Sequence, residues 1–159
     1  FKQKIKEGNT TAIISEAGCP GIADPGQILG KEAQKLNAQI KPLVGPSSIL
    51  LALMASGFNG QQFSFHGYLP IDNLERIKKV KQLEEESVQK KCTQIFIETP
   101  YRNNKMLETI LNHCRATTQL CVAAELTSVN EFIRSKSIAE WKNEPIDLHK
   151  KPVIFLLQG

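Results

Sequence analysis

Apolar residues along this chain fall in short blocks whose spacing switches between the period of a strand and that of a helix. Phe1 and Ile5 lie one helical turn apart among lysines and are followed by Glu7-Gly8-Asn9. That pattern predicts the last turns of an amphipathic helix closed by a glycine cap. Thr11-Ala12-Ile13-Ile14 is short, apolar and β-prone, which predicts a buried strand over 11–15. Ile28, Leu29, Ala33 and Leu36 recur at helical spacing, so a helix begins near Gly26 and runs to about Asn37. Ile40 to Val44 supplies a second short strand, completing the strand–helix–strand order of a parallel βαβ unit. An apolar helix, Ile49–Ser56, comes next, and Gly57-Phe58-Asn59-Gly60 marks a boundary.

Beyond residue 60 the pattern becomes that of a mixed sheet. Phe63, Phe65 and Tyr68 give Gln62 to Tyr68 a β-like pattern, with His66 opposite Phe63 and Phe65, where a structural or rim role is the simplest reading. Leu74, Ile77, Val80 and Leu83 form one face of a long charged helix. Its Glu84-Glu85-Glu86 run and scattered lysines read as a solvated surface, or as contacts to phosphate. Thr93 to Glu98 reads as a strand, and Met106, Leu107, Ile110, Leu111 and Cys114 as a helix. Leu120 to Ala124, Glu131 to Ser135 and Val153 to Leu157 read as three more strands, with a short helix at Ile138–Trp141. The second part therefore holds about five strands, several of them antiparallel. The expected architecture is α/β in two domains, 1–60 and 61–159.

Composition narrows the class. With 159 residues, 41% of them hydrophobic and 23% charged, the chain is long enough for a real core. No apolar run approaches the roughly 20 residues that cross a bilayer. The formal net charge of +4 permits nucleic-acid binding without requiring it. Cys19, Cys92, Cys114 and Cys121 form no C-x-x-C pair, and three of them sit in apolar periodic segments. That usage fits free thiols in a reducing cytoplasm, and no metal site is expected.

The candidate chemistry lies in two loops. Ser15-Glu16-Ala17-Gly18-Cys19-Pro20-Gly21-Ile22-Ala23-Asp24-Pro25-Gly26 links the first strand to its helix, and Gly45-Pro46-Ser47-Ser48 follows the second strand. Loops at the carboxyl ends of strands in one βαβ unit share a sheet edge, where open α/β sheets bind ligands. Glycine allows close approach of backbone to a ligand, and Glu16 and Asp24 are acceptors for a polar or cationic group. Ser47 or Ser48 is a natural helix N-cap, and the amides there favour an electronegative group. Simple turning of the chain and simple capping are the alternatives. Glu98, Arg102 and Glu125, at strand ends of the second part, are the catalytic candidates, with a structural ion pair as the alternative. No Rossmann fingerprint, P-loop, zinc-protease or nucleophile-elbow motif occurs.

Five stretches, in order, resemble one family. Residues 15–26 are similar to the S-D-A-G-T-P-x-I-x-D-P-G loop of the S-adenosylmethionine-dependent tetrapyrrole methylases, in the branch of ribosomal RNA small subunit methyltransferase I. Val44-Gly45-Pro46-Ser47-Ser48 resembles that branch's P-G-P-S-A, and Phe65-His66-Gly67-Tyr68-Leu69-Pro70 its F-E-G-F-L-P. Ile97-Glu98-Thr99-Pro100-Tyr101-Arg102 resembles Y-E-S-P-H-R, and Ala124-Glu125-Leu126-Thr127 resembles R-E-L-T.

The resemblance implies two α/β domains, the first with a parallel sheet and the second with a mixed one, and a cofactor cleft between them. It implies further chain ahead of the position matching Phe1, including a first strand. It assigns S-adenosylmethionine to Gly18, Cys19, Pro20, Ile22, Gly45, Pro46, Ser47 and Ser48, with S-adenosylhomocysteine as product and no metal. Transfer would need mainly alignment of the methyl group with its acceptor. The implied acceptor is a ribose 2′-hydroxyl of small-subunit ribosomal RNA, the implied assembly a homodimer and the implied setting the cytoplasm. Cys19, Ala124 and His66 stand where the branch has Thr, Arg and Glu. The substitution at Ala124 keeps a tetrapyrrole or other small-molecule acceptor open, and with Cys19 it also keeps open a binding protein without turnover.

Overall fold

A computed structural model describes residues 1–159, and the chain divides into two compact units, Phe1–Ser47 and Ser48–Gly159. The first unit holds α1 (Lys2–Lys6) and α2 (Gln27–Lys35). Gly8, with φ of 80°, follows α1 as the spacing predicts. Lys2 of α1 reaches Glu32 of α2 at 2.8 Å, and Lys35 closes on the same carboxylate at 2.8 Å.

The strands expected at 11–15 and 40–44 are absent from this unit. A strand exists through its ladder, and neither stretch has a hydrogen-bonded neighbour. Ile14, Leu43 and Val44 consequently stay exposed, although their apolar character is what marks the stretches as β-prone.

The second unit is a five-stranded mixed sheet with helices on both faces. Its elements are α3 (Ser48–Ser56), β1 (Phe63–Tyr68), α4 (Asn73–Lys90), β2 (Thr93–Ile97), α5 (Asn103–His113), β3 (Gln119–Ala124), β4 (Phe132–Ser137), α6 (Ile138–Trp141) and β5 (Val153–Gln158). The strand order is β1-β2-β5-β3-β4. β1 and β2 are parallel, and the β2–β5, β3–β5 and β3–β4 pairs are antiparallel.

The last strand in sequence is thus the middle strand of the sheet. Val153 to Leu157 is apolar throughout because both of its faces are covered. Phe96, Leu120, Val122, Phe155 and Leu157 point to one side, where α4, α5 and α6 bring Val80, Leu83, Met106, Ile110 and Trp141. Ile95, Cys121, Ala123, Ile154 and Leu156 point to the other, against Ile49, Ala52 and Leu53 of α3. Ser135 on β4 also donates to the Ser56 carbonyl at 2.6 Å. This packing is why the compact units divide at Ser47 and Ser48, earlier than the boundary after residue 60 that turn residues suggest: α3 completes the sheet's second face.

Local chemistry fixes the element ends. Asp72 caps α4 by accepting from the Glu75 amide at 3.0 Å, and Ser137 and Glu140 form a reciprocal capping box on α6. Glu84, buried in α4, accepts from the Arg115 amide at 2.7 Å and from the Thr118 hydroxyl, pinning the α5–β3 turn. The edge strand β4 carries Arg134 and Lys136, both paired with Glu144, a charged edge that discourages pairing with another chain.

Candidate functional site

In the first unit the glycine-rich loop is built around Asp24. Its Oδ1 accepts from the Gly21 amide at 3.0 Å and the Gly26 amide at 2.7 Å, and its Oδ2 accepts from the Ser15 hydroxyl at 3.3 Å. These bonds, Gly21 first, hold its carboxyl below the usual range. Asp24 is thereby committed to the loop's own backbone and is not the free acceptor that the sequence suggests. Glu16 stays exposed. A Cβ at Gly26 would lie 2.6 Å from Asp24 Oδ1, so a side chain there would push the carboxylate off the amides it holds. Gly18 and Gly21, with φ of 73° and 80°, make the turns that carry Cys19 and Pro20 outward.

Cys19 ties the two ligand-loop candidates together. Its thiol donates toward the carbonyls of Gly45 at 3.6 Å and Pro46 at 3.5 Å. The loop that carries Gly18, Cys19, Pro20 and Ile22 is thus in contact, through Cys19, with the loop that carries Gly45, Pro46 and Ser47. Ile22 is 54% exposed, an apolar surface beside neutral backbone groups. Ser47 is buried at the unit's end, and Ser48 opens α3.

In the second unit the topology collects three of the motifs on one sheet edge. Tyr68 pairs with Ile97, Ile97 with Ile154, Val153 with Ala124, and Ala124 with Phe132. The residues that run off this edge are Leu69-Pro70, Glu98–Arg102, Glu125–Thr127 and, just before β5, Lys150–Pro152. Glu125 and Thr127 adopt φ of 52° and 67°, and Lys150 adopts 61°. Side chains other than glycine rarely hold such backbone, and strain of this kind clusters at functional positions.

The catalytic candidates differ in freedom. Glu98 has a side chain only 1% exposed, and its Oε1 accepts from the Thr99 amide at 2.6 Å and from Arg102 at 2.7 and 3.1 Å. Its role is to hold Arg102 and the 98–102 turn. Glu125 is half-buried, its closest cation is Lys151 at 3.7 Å, and it lines an open cavity of about 600 Å³. Glu131, Phe132, Asp147 and Leu148 line the same cavity. His66 faces inward to Gln94, with its Nε2 2.6 Å from Oε1, which is the structural role expected for it.

The sequence does not single out the stretch Asp147–Lys151, yet it belongs to this edge. Asn103 donates to the Lys151 carbonyl at 2.7 Å, and Lys150 donates to the Pro100 carbonyl at 3.0 Å. Asn104 donates to Asp147 at 2.7 Å and accepts from the Leu148 amide at 2.8 Å. The only signal in the sequence is a polar segment closed by Pro152 immediately ahead of a fully apolar strand. The four cysteines are free; Cys92 and Cys121 are buried, whereas Cys19 and Cys114 are partly exposed. Burial and the nearby Glu84 push the Cys114 thiol up to about 12.

Comparison with known proteins shows what the chain is similar to. The chain is 33% identical over 159 residues to ribosomal RNA small subunit methyltransferase I of Vibrio cholerae, covering 98% of this chain and 54% of that protein. It is 35% identical over 144 residues to the Bacillus subtilis protein of the same name, covering 88% of this chain and 47% of that one. The chain is a homologue of these proteins. It spans about half the length of the curated relatives it matches. No protein-family model matches it. Among solved structures, the methyltransferase CobJ superposes with a TM-score of 0.63 at 18% identity, over 99% of this chain and 68% of that one, so the two share a fold.

Proposed function

We propose that this chain carries the cofactor loops and part of the acceptor site of an S-adenosylmethionine-dependent methyltransferase acting on a ribose 2′-hydroxyl of small-subunit ribosomal RNA. The observation that carries the reading is the match along nearly the whole chain to proteins of that name. The same reading carries a homodimer that works in the cytoplasm.

The residues divide the work between the two units. Gly18, Cys19, Pro20, Ile22, Gly45, Pro46 and Ser47 would hold S-adenosylmethionine through backbone groups, a hydroxyl and one apolar contact. When bound, that cofactor supplies an activated methyl group and leaves as S-adenosylhomocysteine. Asp24 and the Cys19 thiol keep the two loops in register, so little ordering remains to be done on binding. In the second unit Glu98 fixes Arg102, whose side chain stays about one-third exposed for the acceptor strand. Glu125 has the freest carboxylate of the candidates and faces the cavity, so it accepts the proton that the ribose hydroxyl loses.

Transfer of a labelled methyl group to small ribosomal subunits tests this directly. The reading expects incorporation by the protein and a fall in kcat of about a hundredfold or more in Glu125→Gln. Transfer to a small molecule and never to RNA would overturn the acceptor while keeping the cofactor. Loss of activity in Glu125→Gln through KM alone would remove the proton-accepting role.

A further inference from the structure

The 147–151 segment carries His149, and the turn it is fastened to carries Tyr101. The two rings meet edge to face, with centroids 5.8 Å apart and planes at 72°. Tyr101 is 71% exposed, and His149 is exposed as well. Neither ring contributes to a core cluster, so burial does not account for the pair. Its backbone is nevertheless held firmly. The Lys150 amide bonds to Pro100 at 3.0 Å, Asn103 and Asn104 anchor Lys151, Leu148 and Asp147, and the His149 amide donates to Asp147 Oδ1 at 3.0 Å. These bonds to Asp147, Asn104 first, hold its carboxyl below the usual range. A solvent-facing aromatic pair on backbone held in this way presents a π-face with less ordering left to do on binding.

Charge selects what covers that face. Lys150 is exposed directly beside His149, and Arg102 follows Tyr101. Exposed aromatics beside cations fit an unpaired nucleobase with its phosphates, since bases stack on Tyr and His while Lys and Arg meet the backbone. We propose that Tyr101, packed edge to face with His149, offers a stacking platform for an unpaired base of the RNA substrate, with Lys150 on an adjoining phosphate. The proposal rests on the RNA reading above and adds to it a specificity-determining surface outside the cofactor loops and the catalytic candidates.

The test compares the protein with Tyr101→Ala, Tyr101→Phe, His149→Ala and Lys150→Ala, using a short unstructured single-stranded RNA oligonucleotide and, separately, S-adenosylmethionine. All three positions are surface side chains, and unchanged thermal midpoints establish that each variant is folded. RNA binding should weaken about tenfold in Tyr101→Ala and return in Tyr101→Phe, which keeps the ring. Lys150→Ala should lower the slope of log affinity against log salt by about one. In methyl transfer the loss should appear in KM for RNA, with affinity for S-adenosylmethionine unmoved. Wild-type RNA affinity in Tyr101→Ala, or a Tyr101→Phe variant as weak as the alanine, overturns the platform. If the wild-type protein methylates RNA while Tyr101→Ala shows an unchanged KM, the platform alone fails. If the wild-type protein binds S-adenosylmethionine and neither binds nor methylates RNA, the RNA reading fails and takes the platform with it. Binding of an acidic peptide in place of RNA would do the same.

Discussion

Asp24 illustrates how one side chain shapes a loop that a sequence motif marks only as glycine-rich. The motif exposes an aspartate between prolines and glycines, and a ligand acceptor is the natural expectation. The structure instead turns the carboxylate onto Gly21, Gly26 and Ser15, where it spans the loop. The same contact explains why position 26 is glycine, since a methyl group would collide with Asp24 Oδ1. Asp24→Ala and Gly26→Ala should therefore behave alike: both should weaken S-adenosylmethionine binding severalfold while leaving the second unit's melting unaltered. Calorimetric titration beside a thermal melt checks this. A Gly26→Ala variant with wild-type affinity would show that the clamp is not what shapes the ligand loop.

At the scale of elements, local patterns transmit well and long-range pairing does not. Leu74, Ile77, Val80 and Leu83 all lie in α4, but only Val80 and Leu83 are buried and Leu74 is exposed, whereas Met106, Leu107 and Ile110 lie on the buried face of α5. The five strands of the second unit fall where alternation or apolar runs place them. Their order was not legible, because nothing local reveals that β5 enters between β2 and β3. The partnership of the Asp147–Lys151 segment with Asn103 and Asn104 depends on that same insertion, so it too was hidden. Conversely, Thr11–Ile14 and Ile40–Val44 have β character without a ladder, since propensity does not supply a neighbour. Of the site, the residue types and motif order were readable; the freedom of Glu125 relative to Glu98 was not, because it depends on partners in space. The central position of β5 has an energetic consequence. Phe155 is fully buried and stacks on Phe96 at 5.7 Å, so Phe155→Ala should cost about 3–5 kcal/mol. Urea unfolding measures it, and a cost below about 1 kcal/mol would contradict a central β5.

For the molecule as a whole, carboxyls of both units are held below their ordinary range, Glu32 in the first and Glu86 and Glu144 in the second among them. The α1–α2 pair of the first unit is joined by Glu32, whose carboxyl is held down to about 2 from an ordinary 4.5 by hydrogen bonds from Lys2 and then Lys35. A depressed carboxyl pKa contributes stability that is present above the unfolded value and is lost as pH falls toward the folded one. Helical signal from the first unit should accordingly decline between pH 4.5 and about 2, and Glu32→Gln should flatten that decline. An identical acid profile in the variant, followed by circular dichroism, would assign the transition to other groups.

The cofactor assignment of the first unit's loops is the central claim, and binding tests it most directly. Gly45 is the informative position, because it is exposed and a Cβ there would meet only Cys19 Sγ, at an ordinary 3.9 Å. Calorimetric titration of the protein with S-adenosylmethionine, and then of Gly45→Trp, should show saturable binding to the first and at least tenfold weaker binding to the second, with both proteins melting alike. Equal affinity in the two, or no binding by the folded wild-type protein, would contradict the assignment.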